Sequence, residues 1–165
     1  MSKDIIPKTG QFDEIISIID NARTRALKAV NAELIQMYWN AGKYLSSLCA
    51  NSGFGDKVID EVAAYIAKTN PGVKGFNRRG LYRMKQFYET YKDDEFVTPL
   101  VTQISWTNHL LIMSGSKSVE ERHFYMALCA KEHYSKRELE RQMNSAYYER
   151  YMLSSNKMMP ESVTK

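Results

Sequence analysis

Glycine and proline are scarce, at 8 and 4 in 165 residues. An all-β chain needs turn residues roughly every 8–12 positions, so this supply disfavours a sheet fold. Cysteine is limited to Cys49 and Cys129, far apart in helical contexts. That excludes a disulfide scaffold and reads as reduced thiols of a cytoplasmic protein. No apolar run approaches the ~18 residues of a membrane span. The first residues carry acids early and lack the apolar segment of a signal peptide. Histidine occurs only as His109, His123 and His133. Cys129 and His133 share a helical spacing, but two ligands do not make a zinc site. There is no Ser/His/Asp arrangement, no Walker loop and no Rossmann glycine fingerprint. No acids pair in a way that suits metal-assisted phosphodiester cleavage. The expectation is a chain without cofactor, metal or catalytic centre of its own.

What is present is core-forming and helical. Hydrophobic residues make up 44% of the chain, with 11 Tyr and 9 Met. The length implies one domain. After a polar start, 1–11, small or apolar residues recur at Phe12, Ile15, Ile19, Ala22, Ala26, Val30, Leu34, Tyr38, Ala41, Leu45 and Leu48. The mean step is 3.6 residues, the period of a straight helix. A helix over 12–50 would be roughly 55 Å long at 1.5 Å per residue. That outruns a small core and predicts either a kink, with Asn31 and Gly42 as weak points, or an end that projects to meet a partner. Asn51-Ser52-Gly53 closes the helix, with glycine available for a left-handed cap.

Residues 56–91 read as two helices around a turn. Ile59, Val62, Ala63 and Ile66 line the first, which stops at Asn70-Pro71-Gly72. Asn77 suits the N-cap of the second. Residues 92–104 form a connector that could hold a short β element near 96–104, interrupted by Pro99. Within 105–152, Ser105 suits the cap of a short helix. Ser118/Glu121 and Ser135/Glu138 are capping-box pairs that predict helices over 118–132 and 135–152. The tail, 153–165, is polar and reads as loose.

Charge is concentrated on the helix pair. From Lys68 to Lys92 there are seven Lys or Arg and one acid, Glu89. The local +6 exceeds the chain's +4, so the remainder is net acidic. In projection the second helix places Leu81, Met84, Phe87, Tyr88 and Tyr91 on one side. Arg79, Tyr82, Arg83, Gln86 and Thr90 fall opposite, flanked by Arg78 and Lys85. Arg and Gln can bond base edges, and flanking Lys and Arg suit phosphates. A recognition helix also presents its N-terminal residues to the bases. The expected DNA-binding set is Lys74, Arg78, Arg79, Tyr82, Arg83, Lys85 and Gln86. The competing readings are a solvated basic face and a protein-interaction or dimerisation module built on the long first helix. Gly72-Val73-Lys74-Gly75 also matches the GxxG loop of RNA-binding KH domains, but that fold needs a sheet.

Several segments, in order, resemble one family. Tyr38-Trp39-Asn40-Ala41-Gly42-Lys43 is similar to the tyrosine–tryptophan–glycine signature on the long first helix of the YhcG family. Gly53-Phe54-Gly55, Asn70-Pro71-Gly72, Gly75-Phe76-Asn77 and Met84-Lys85-Gln86-Phe87-Tyr88 resemble its next motifs. So do Gln103 to His109, Glu121 to Tyr125 and Tyr134 to Gln142. The resemblance runs from about residue 14 to 151. It implies a mainly α, winged-helix-like DNA-binding N-terminal domain, normally followed by a PD-(D/E)xK nuclease domain. The acids, lysine and strands of that nuclease are not in this sequence, so the resemblance implies delivery of a nuclease, in cis or in trans, rather than cleavage.

Overall fold

The 3.6-residue spacing produces one continuous helix, α1, Thr9–Ala50, of 42 residues or about 63 Å. The computed structural model describes residues 9–158. The other helices are α2 (Gly55–Thr69), α3 (Arg78–Tyr91), α4 (Trp106–Gly115), α5 (Val119–Glu132), α6 (Lys136–Asn144) and α7 (Tyr147–Met158). A short 3-10 turn spans Val101–Gln103, and no strand occurs among the described residues. The fold is therefore mainly helical with a long first helix. Among the described residues no helix is long and apolar enough to cross a membrane.

The C-terminal half of α1 is the spine, and its most extensive partner is α3. Gly42 is buried at this crossing, not a point of weakness. Around it, Leu45, Ile59, Leu81 and Met84 form a small core shared by α1, α2 and α3. A larger core gathers Ile35, Phe87, Tyr91, Val97, Ile112, Tyr125, Met126 and Leu139. Tyr38 and Trp106 border both cores and stack at 4.3 Å. Trp39 meets Phe87 and Tyr88 edge-on. These aromatics bury large apolar areas in favoured ring geometries, so they anchor the spine to α3 and α4.

Asn31 does not break α1 either. Its side-chain amide donates to the carbonyls of Thr102 and Ile104, each at 3.1 Å. That helps explain why 96–104 forms turns and a 3-10 segment, not strands. Pro99 offers no N–H, and the carbonyls of 101, 102 and 104 are already taken, Val101 by His109 at 2.7 Å. Asp94 holds the connector's start, bonding the Phe96 amide and the His123 ring.

Other expectations need correcting. Gly53 is not left-handed; the only positive-φ glycine among the described residues is Gly75. The end of α1 is closed instead by the amides of Asn51 and Ser52 bonding back to Ser47 and Cys49. Ser118 caps α5 by accepting from the Glu121 amide, whereas the reciprocal capping box forms only at Ser135/Glu138. The helix expected over 135–152 is two helices. Ala146 at φ 57 turns the chain, and Arg150 clamps Ser145 through both its carbonyl and its hydroxyl. A left-handed alanine costs about 1–2 kcal/mol. The turn lays Tyr147, Tyr148 and Tyr151 around Phe124, and the Tyr125 hydroxyl accepts from the Tyr148 amide. The frayed start and loose tail fall partly outside the described residues; Thr9–Gln11 and 153–158 are helical.

Candidate nucleic-acid interface

α3 is amphipathic because its apolar residues recur at helical spacing. Leu81, Met84, Phe87 and Tyr91 are buried and Tyr88 is half-buried. The helix starts where the Asn77 side chain accepts from the Gly80 amide at 2.8 Å. Gly80 is required there for packing: a Cβ would stand 1.9 Å from the Gly75 carbonyl oxygen. The α2–α3 turn thus folds tightly onto the first turn of α3.

The opposite face is not uniformly free. Arg78 forms a salt bridge with Asp60 of α2 and lies over the Tyr82 ring at 5.0 Å. The hydrogen bond from Arg78 to Asp60 raises the guanidinium's pKa further. The Tyr82 hydroxyl donates to Asp56 at 2.6 Å, which raises the phenol's pKa. Two acids of α2 therefore bracket the start of α3. Lys85 pairs with Glu89 one turn on at 3.1 Å. Burial pushes the Glu89 carboxyl up, but bonds from Ser46 and Lys85 outweigh it and hold the pKa below the usual range.

Arg79 and Arg83 differ. They stand one turn apart on the same face, Arg79 exposed and Arg83 half-buried, with no salt bridge among the described residues. Gln86 is exposed one turn further along. Arg83 and Gln86 line a groove completed by Thr107, Leu110, Leu111, Met113 and Ser114 of α4 and by Lys136 of α6. Lys74 is exposed on the α2–α3 turn. Of the seven residues expected to bind DNA, Arg79, Arg83, Gln86 and Lys74 are available, while Arg78, Tyr82 and Lys85 are engaged within the fold.

Lys136 was not foreseen. It lies in the first turn of α6 and reaches the groove only through tertiary packing, so no local pattern marks it. Elsewhere, burial raises the Cys129 thiol to about 12 and leaves it unsuited to nucleophilic chemistry. Both cysteines are free. His133 takes the left-handed cap of α5, its amide bonding the Cys129 carbonyl. No cluster of three His, Cys, Asp or Glu placed to hold a metal ion occurs among the described residues.

The geometry defines a small helical domain with a cationic helix face. The DUF1016 N-terminal domain family matches residues 14–150, and the chain belongs to that family. No curated protein and no solved structure matches it.

Proposed function

We propose that this domain binds DNA through the outer face of α3 and so positions a nuclease domain on its substrate. The observation that carries the reading is selective: the other cations of α3, Arg78 and Lys85, have carboxylate partners, while Arg79 and Arg83 have none among the described residues. An unpaired guanidinium can bond guanine edges bidentately, and Gln86 suits adenine. Lys74 and Lys136 flank them as phosphate contacts. The α2–α3 pair acts as a helix-turn-helix, with α3 the reading helix. Its turn, 70–77, is longer than the 3–4 residues of a tight motif. The connector that would hold a wing forms turns, so a winged-helix likeness rests on the family resemblance alone. The nuclease rests there too: a PD-(D/E)xK domain following in cis or supplied in trans. In this reading the domain itself performs no catalysis.

The competing reading is an assembly module that never touches nucleic acid. A fluorescence-anisotropy titration with labelled duplex and single-stranded DNA, at two salt concentrations, separates the two. Binding that weakens steeply with salt, as counterion release requires, supports the α3 reading. No binding at low salt, with the protein folded, sinks it.

A further inference from the structure

A groove of about 700 Å³ runs between α1 and the segment that leads into α4. No residue of α3 lines it. Thr24, Leu27, Lys28 and Asn31 form one wall, because they recur every three or four residues along α1. Ile104 and Asn108 line the other side, and Tyr134 closes it beyond the end of α5. The volume falls in the range of small-molecule sites, roughly 300–1,000 Å³. Two side-chain acceptors there have no donor. The Asn108 amide nitrogen donates to the Tyr134 carbonyl at 2.8 Å. Its Oδ1 accepts nothing among the described residues, although the residue is only 2% exposed. The Asn31 amide nitrogen is spent on the carbonyls of Thr102 and Ile104, and its Oδ1 likewise accepts no bond among the described residues. A carbonyl can only accept, so both amides are held with the nitrogen toward the chain. Both oxygens are therefore acceptors for an outside N–H, and a buried one is costly to leave unpaired.

Charge selects the sign of the occupant. Lys28 lines the groove, and no Asp or Glu does. The N-terminal end of α4, positive by its dipole, begins at the groove with Ser105. At the opposite, negative end of α5, the Cys129 carbonyl is bonded by the His133 amide and the Tyr134 carbonyl by Asn108. Leu27 offers an apolar side chain that is 71% exposed. We propose that the groove binds a small apolar acid bearing amide N–H donors. Its apolar body lies on Leu27 and Ile104, its N–H groups meet the Asn31 and Asn108 oxygens, and its carboxylate sits by Lys28. Lys28 and Asn31 stand about one turn apart, ~5–6 Å between Cβ atoms, so adjoining groups of one small molecule reach both. The inference stands independently of the nucleic-acid reading.

The test titrates the full chain with N-carbamoyl-leucine and follows amide shifts by two-dimensional NMR. Shifts should concentrate at residues 24–32, 102–108 and 133–134 and saturate below about 10 mM. 4-Methylpentanoate keeps the apolar body and the carboxylate but has no N–H, and N-carbamoyl-leucinamide has no charge. Each should bind at least about ten-fold more weakly. Lys28→Glu and Leu27→Asp, both at exposed positions, should each weaken N-carbamoyl-leucine at least about ten-fold, with circular dichroism confirming that the variants stay helical. Three results overturn the proposal: no saturable shift in the groove up to about 10 mM, control compounds that bind equally well, or a Lys28→Glu variant with unchanged affinity. A tripeptide ending in leucine that binds more than about ten-fold tighter assigns the groove to a chain terminus and overturns the small-molecule occupant.

Discussion

A Cβ on Gly42 would stand 2.1 Å from the carbonyl oxygen of Met84, so α1 and α3 meet backbone against backbone. No rotamer change relieves that approach, because the obstacle is main chain. Gly42→Ala should therefore lower stability by about 1–3 kcal/mol or more, although alanine favours a helix. The same change at Gly10, where nothing lies within 4 Å, should be neutral or slightly stabilising. Urea unfolding of both variants checks the contrast.

His109 makes the fold acid-sensitive. It is fully buried, and burial lowers its pKa to about 4 from 6.5, against the opposing pull of its bond to Val101. The neutral ring is the form the fold holds, with Nε2–H donating to the Val101 carbonyl. The unfolded chain takes up a proton below about pH 6.5, and the folded chain does so only near pH 4. The contribution is therefore complete above pH 6.5 and is lost as pH falls from there through about 4, amounting to roughly 3 kcal/mol. His109→Gln should flatten that part of the stability–pH curve relative to wild type, measured by urea unfolding at each pH.

Asp60 restrains the basic face through its salt bridge with Arg78. If α3 meets DNA, Asp60→Asn removes a negative charge beside that face and releases a guanidinium. Affinity for duplex DNA should rise a few-fold and its dependence on salt should steepen. Unchanged affinity would mean that the start of α3 lies outside the contact.

Much of the helical framework was legible because its signals are local. The 3.6 spacing marked α1, Asn77 and Ser105 marked caps, and Leu81 to Tyr91 marked the buried side of α3. What escaped depends on contacts distant in sequence. Asp56 and Asp60 precede the basic run in sequence and fold back onto Tyr82 and Arg78. Asp56 and Asp60 stand four apart on a helix, a visible hint of one acidic face. Nothing local shows that Ala146 turns left-handed, because alanine is a strong helix former and the turn is held by Arg150 and the aromatic cluster around Phe124. Gly42 carried the right residue with the wrong reading: in isolation a helical glycine looks weak, and only α3 reveals it as a contact.

If α3 meets DNA, Arg79 and Arg83, which have no carboxylate partner among the described residues, are the cations that contact it. The most direct measurement is the slope of log affinity against log salt for duplex DNA, in wild type and in the Arg79→Ala/Arg83→Ala variant. The double variant should lose most of the binding, and its slope should fall by up to ~1.8 where the two guanidiniums neutralise phosphates beside the base edges they meet, at about 0.9 for each phosphate. A folded double variant with wild-type affinity and slope would contradict the claim.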